Sequence, residues 1–301
     1  MCDKDSIKDW FMELQDSICE QLEECDGAAY FHEDLWQHHS EGGGRTRLIE
    51  DGMIIEKGGV NFSAVGGEMP EKTAKSLDLP SAENFFATGV SIVMHPFNPF
   101  VPIIHMNVRY FELNSGLYWF GGGIDLTPHY VIDEDAVFFH SRLKAVCDKS
   151  NAEFYPKFKS WCDDYFFLQH RDETRGVGGI FFDRLNSESL SMSKEAIWEF
   201  VKGVGSEFAP IYTTLMQKNH QISYEPSHTD WQAIRRSRYV EFNLLYDKGT
   251  KFGLETKGRT ESILMSMPPQ AVWYYNYVPE PESQEAQTLA KLRKGLSWLI
   301  F

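Results

Sequence analysis

The sequence predicts an α+β protein built on one large, mostly antiparallel β-sheet. Strand-like segments come in adjacent groups, and so do helix-like segments. The regular strand–helix alternation of a doubly wound parallel sheet is missing. No low-complexity linker or internal repeat divides the 301 residues, so a single domain over 1–301 is expected.

Residues 5–26 carry Ile7, Trp10, Phe11, Leu14, Ile18, Leu22 and Cys25 at three- and four-residue spacing, the pattern of an amphipathic helix. Gly27 is its natural stop. Within residues 44–66, Asp51-Gly52 is a hairpin turn between β-type runs. Extended segments follow at 85–95, 101–113 and 117–121, and Asn114-Ser115-Gly116 links the last two. Helices are expected over 133–149, 153–171 and 193–220. Strands are expected over 177–183, 239–246 and 261–267.

Lys and Arg number 29 against 44 Asp and Glu, a net charge of −15. That balance disfavours nucleic acid and anionic membrane surfaces as partners. No apolar run is long enough to span a bilayer. The N-terminus Met1-Cys2-Asp3-Lys4-Asp5 has neither a signal nor a transit character, so a cytoplasmic protein is expected. Five cysteines at irregular spacing, with no Cys-x-x-Cys pair, read as reduced thiols. The charge is uneven: residues 1–60 hold 15 acids and 5 bases, whereas residues 235–259 hold seven bases and three acids.

Five stretches carry chemistry-bearing residues. In Ile103-Ile104-His105-Met106-Asn107-Val108-Arg109, alternation puts His105, Asn107 and Arg109 on one strand face, about 7 Å apart at each step. Ser91 and His95 share a face of the preceding strand and would extend this polar floor if the two strands are neighbours. Gly121-Gly122-Gly123-Ile124-Asp125 lacks the spacings of a phosphate loop. It fits either close approach to a large flat ligand or a glycine turn capped by Asp125. His170 through Asp183 reads as a helix end passing through a glycine-rich turn into an aromatic strand. His170 joins His95, His105 and His140 as a set that could hold a metal, though their spacing matches no compact motif. The stretch from Arg238 through Asp247, Lys248, Lys257, Gly258 and Arg259 is basic. It fits a carboxylate-binding segment, with Asp247 as counter-charge or base, or a hairpin with solvated tips.

Read together, these blocks resemble oxygen-dependent coproporphyrinogen III oxidases. The resemblance rests on Asn98-Pro99 through Glu112, Trp119 through Pro128, Tyr155 through Asp183 and Arg238 through Pro268. It runs from the N-terminal helix to about residue 278. It implies a large, flat antiparallel sheet covered by helices on both faces, and a homodimer. The implied reaction turns the ring A and B propionates of coproporphyrinogen III into vinyl groups with O2 as acceptor, giving protoporphyrinogen IX, CO2 and H2O2. In the implied roles, His105 is the acid, Asp125 binds or catalyses, and Asp247 is a central carboxylate for the pyrrole N–H groups. Ser91, Asn107, Val108, Arg109, Lys257, Gly258 and Arg259 fall at substrate-contact positions. No cofactor beyond O2 is implied; a divalent metal on the four histidines, as proposed for bacterial members, is the alternative. Lys248 stands where Arg is frequent, and Lys257 where Gly is usual. Because such a substrate bears four carboxylates, a local positive pocket on an acidic exterior is expected, with substrate capture weakened by salt.

Overall fold

The computed structural model describes residues 2–69, 71–76, 79, 81–255 and 258–299. The elements in chain order are α1 (Lys4–Asp26), β1 (His32–Gln37), β2 (Glu41–Glu50), β3 (Ile55–Glu68), α2 (Glu71–Ser76), β4 (Asn84–Pro96), β5 (Ile103–Leu113) and β6 (Tyr118–Thr127). Then come α3 (Asp133–Ser150), α4 (Phe154–Tyr165), β7 (Phe167–Leu168), β8 (Glu173–Thr174), β9 (Gly178–Leu185), α5 (Ser187–Leu190) and α6 (Lys194–Asn219). The chain continues with α7 (Pro226–Leu245), α8 (Lys248–Glu255), α9 (Thr260–Leu264) and α10 (Gln284–Lys291).

Seven strands form one sheet in the order β1-β2-β3-β4-β5-β6-β9, with every neighbouring pair antiparallel. Side-chain alternation gives that sheet two unlike faces. On β5, Ile104, Met106, Val108 and Tyr110 join Ile7, Phe11 and Leu14 of α1 and Val201, Val204 and Phe208 of α6 in the main apolar core. On the opposite face lies α7, whose Tyr239 packs on Val93 and Ile103 and whose Phe242 packs on Phe166 and Leu168. The fold is therefore α+β, with helices on both faces. Among the described residues no helix is long and apolar enough to cross a membrane, and all five cysteines are free.

Local chemistry sets the ends of the elements. The Asp3 side chain accepts from Ser6 N at 2.9 Å to start α1, and Gly27 ends it at φ 77°. Asp26, buried at that end, accepts from the backbone N–H groups of Met53, Ile54 and Ile55 at 2.9, 2.9 and 2.8 Å. It thereby pins the β2–β3 turn, which contains Asp51-Gly52, to α1. Burial pushes the Asp26 pKa up, but these donors outweigh it and hold it below the ordinary range. The stability Asp26 supplies is present above an unfolded value of about 3.9 and is lost as pH falls through the lower folded value. Asp26→Ala, which strands these three donors and loses the longer bonds from Ala28 N and Ala29 N, is expected to cost about 3 kcal/mol in urea unfolding at pH 7, and less near pH 3.

Four expectations need correction. The strand expected at 239–246 is the last part of α7. Trp231, Ile234, Tyr239 and Phe242 recur at helical spacing, Pro226 opens the helix, and packing overrides the β propensity of Tyr-Val and Phe. Residues expected as a strand at 261–267 begin as α9, where Ile263 N bonds Arg259 O and Met265 N bonds Glu261 O. The helix expected over 153–171 ends at Tyr165, and β7 pairs with β8 as a separate ribbon. Lastly, the glycine run is neither a turn nor a strand end: β6 carries it between β5 and β9 as far as Thr127.

Candidate active site

The α7 side of the sheet is a polar floor. Register aligns Thr46, Asn61, Ser91, Asn107, Gly123 and Phe181 in one row across six strands. A second row runs Gly44, Ser63, Gly89, Arg109 and Gly121, and a third runs Val93, His105, Asp125 and Gly179. Ser91, His95, His105, Asn107 and Arg109 thus share one face, as alternation required. Gly121 and Gly123 also point to this face, while Gly122 points to the core and lies against Phe182. A Cβ at Gly123 would come within 3.2 Å of the Phe181 ring.

At the centre is a chain of three charged or chargeable groups. His105 Nδ1 lies 2.8 Å from Asp125 Oδ1, and Arg175 donates to both Asp125 oxygens at 2.9 and 2.8 Å. Arg175 also donates to Asn243 Oδ1 at 2.8 Å, and its guanidinium is enclosed by the Phe166, Tyr239 and Phe242 rings at 4.2, 4.6 and 4.8 Å. Burial alone would raise the Asp125 pKa; the Arg175 cation and the His105 bond outweigh it, and the carboxyl is held below its usual range. Asp125 and Arg175 are 2% exposed and His105 is 24% exposed, so the imidazole is the accessible end of the chain.

Asp247 sits at the start of α8. Its Oδ2 accepts from Thr250 N at 2.7 Å, a helix cap, and its Oδ1 accepts from the Tyr165 hydroxyl at 2.9 Å. The Tyr165 ring stacks on Phe181 at 4.2 Å, which places Asp247 above the floor next to the Asn107–Gly123 row. Burial, then Asp247, raise the Tyr165 pKa, so the phenol stays a donor.

The remaining expected site residues divide. Arg109 is half-open, donating to Asn107 Oδ1 and to Asp183 Oδ1. Arg259, at the start of α9, pairs with Asp34 on the edge strand β1. Lys248 is exposed beside Asp247, and the Gly258 backbone N–H bonds Gly253 O. Lys257 lies outside the described residues. The Val108 side chain is fully buried in the core on the far face, because it alternates with Asn107 and Arg109; it cannot touch a ligand on the floor.

The four histidines do not converge. His95, buried, bonds Ser266 O at 2.9 Å, and burial lowers its pKa to about 3. His140 lies on α3 in the other layer between Val177 O and the Tyr155 hydroxyl, both at 3.0 Å. His170 lies between Glu241 and the Tyr246 hydroxyl, both at 2.7 Å. Among the described residues no three His, Cys, Asp or Glu side chains meet in a metal-holding group. These histidines therefore do not fit a shared metal.

The basic segment also differs from expectation. Arg235 and Arg236 are buried in ion pairs with Glu173 and Glu56, and Arg238 pairs with Glu241. Glu241 collects Arg171, His170, Arg238 and the Trp273 indole; burial pushes its pKa up, and these donors bring it down to about 2. The arginines of α7 hold the fold together rather than facing solvent as hairpin tips. Spacing assigns no role to Arg175, Tyr165 or Asp183, although all three lie in the Tyr155–Asp183 block, because their partners lie 50, 82 and 74 residues away.

A buried ion pair that presents an oriented imidazole at a polar sheet face, flanked by arginines and a second carboxylate, is the arrangement of a proton-handling enzyme. Residues 6–298 match the family model described as coproporphyrinogen III oxidase. The chain belongs to that family of oxidoreductases of haem and porphyrin biosynthesis, and coproporphyrinogen III is the substrate that fits it.

Proposed function

We propose that this chain is the oxygen-dependent form of the enzyme and converts the ring A and ring B propionates of coproporphyrinogen III to vinyl groups, giving protoporphyrinogen IX. For each propionate the C–C bond to the carboxylate breaks, its electron pair becomes the vinyl double bond, and CO2 leaves. The carbon next to the ring gives up the equivalent of a hydride. Dioxygen accepts that hydride and one proton and leaves as H2O2. The electrons pass from substrate to oxygen, so the reading requires no cofactor beyond O2.

The observation that carries this reading is the oriented His105–Asp125–Arg175 chain beside Ser91, Asn107 and Arg109. In the proposal Arg109 and Arg259 hold propionates, while Ser91 and Asn107 offer neutral hydrogen bonds along the floor. Asp247 faces the pyrrole N–H groups and favours positive charge that develops on the electron-rich ring. His105 supplies the proton, and Asp125 fixes the orientation of its ring. The protein mainly positions and desolvates the macrocycle. The same reading makes the working unit a homodimer in the cytoplasm, to be checked by sedimentation and cell fractionation.

The test is incubation of the protein with coproporphyrinogen III in air and under argon, following vinyl product and H2O2. Product with H2O2 in air alone is expected. No product in air would leave only a tetrapyrrole binder, and equal product under argon would remove oxygen from the reaction. His105→Ala is expected to lower kcat by about 10²–10⁴-fold. The change in urea stability should stay within about 1 kcal/mol, because Asp125 keeps Arg175. Unchanged kcat would take His105 out of the mechanism.

A further inference from the structure

Arg109 on β5 reaches Asp183 on β9 across the intervening strand β6. The crossing point is Gly121. A Cβ there would fall 2.6 Å from Asp183 Oδ1 and 2.8 Å from Arg109 Nε, so only a glycine lets this pair close. Arg109 donates to Asp183 Oδ1 at 3.0 Å through one terminal nitrogen and to Asn107 Oδ1 at 3.1 Å through the other. A guanidinium has five N–H donors, so both contacts leave donors for a ligand. The Arg109 and Asp183 side chains are 40% and 32% exposed, and an ion pair that open adds little to stability. What it does supply is a fixed direction for a long side chain that would otherwise sample many rotamers.

We propose that Asp183 is a positioning residue for substrate: it holds the Arg109 guanidinium across Gly121, so that an incoming propionate meets an oriented fork. This rests on the reading of Arg109 as a propionate-binding residue. The other candidate propionate-binding arginine, Arg259, is likewise held by a carboxylate of this chain, Asp34. The Asp183 carboxylate acts as an acceptor that aims Arg109. A mere counter-charge would work the other way, since removing it would strengthen attraction for an anionic ligand.

The experiment measures the Kd for coproporphyrin III, the fluorescent oxidised ring, together with KM and kcat for coproporphyrinogen III. Asp183→Ala and Gly121→Ala are each expected to raise Kd and KM about tenfold with kcat within threefold of the parent. Asp183→Asn keeps an acceptor oxygen and is expected to stay within threefold in Kd. In an Arg109→Ala background, Asp183→Ala is expected to add nothing. The proposal is overturned if Asp183→Ala binds as tightly as the parent or tighter, or if its effect adds in full to that of Arg109→Ala. Should Arg109→Ala itself bind like the parent, the propionate-holding reading fails and this proposal with it. Weakening by Arg109→Ala but not by Asp183→Ala sinks this proposal alone.

Discussion

Arg175→Met is expected to cost about 3–5 kcal/mol in urea unfolding at neutral pH. Methionine restores much of the volume inside the Phe166, Tyr239 and Phe242 enclosure, so the loss is electrostatic rather than a cavity. What remains is a buried Asp125 carboxylate with His105 and, at 3.5 Å, the Thr127 hydroxyl beside it. The pH dependence separates this cause from ordinary packing loss. In the parent protein the Asp125 pKa is depressed, so its stabilisation is full above an unfolded value of about 3.9 and disappears as pH falls through the lower folded value. In Arg175→Met the largest cause opposing burial is gone and mainly the His105 bond remains, so the folded pKa is expected to rise and the stabilisation at neutral pH to shrink. The gap between the two proteins should therefore be widest at pH 7.5 and narrow toward pH 4.5. An equal gap at both values would refute the charge argument. Activity should fall as well, because His105 then leans on a carboxyl with a different charge and orientation.

The same residues show what a sequence can and cannot reveal here. The His105–Asn107–Arg109 row was legible because a two-residue period is a property of the strand itself. α1 was legible because its apolar stripe and glycine stop are local. α7 was not, because its inward face mixes Trp231, Ile234 and Phe242 with buried Arg235 and Arg236, which hides an amphipathic stripe. Counting charge by segment pointed to a positive pocket in 235–259. Yet Arg235 and Arg236 are neutralised inside the fold by Glu173 and Glu56, which lie 62 and 180 residues away. Net charge over a window carries no information on which charges are paired. The Asp125–Arg175 and Asp247–Tyr165 contacts are long-range for the same reason: tertiary register makes them, and no spacing encodes them.

Asp247→Asn is expected to reduce kcat and kcat/KM together by about 100-fold or more while leaving the fold nearly intact. Asparagine rather than alanine is the informative change, because Asp247 has a structural duty as well. Its carboxylate caps α8 through Thr250 N and accepts from the Tyr165 hydroxyl. Asparagine caps a helix about as well as aspartate. Its carbonyl can keep the Thr250 N–H while its amide donates to the Tyr165 oxygen, the hydroxyl simply reversing its role. Stability should then change by about 1 kcal/mol or less, whereas Asp247→Ala loses both contacts and confounds folding with chemistry. If the negative charge stabilises positive charge that develops on the ring only during reaction, both kinetic parameters fall by the same factor. A rise in KM at constant kcat would instead make Asp247 an anchor for the bound pyrroles. Near-normal values for both would remove the charge from catalysis and leave Asp247 as the cap of α8 alone.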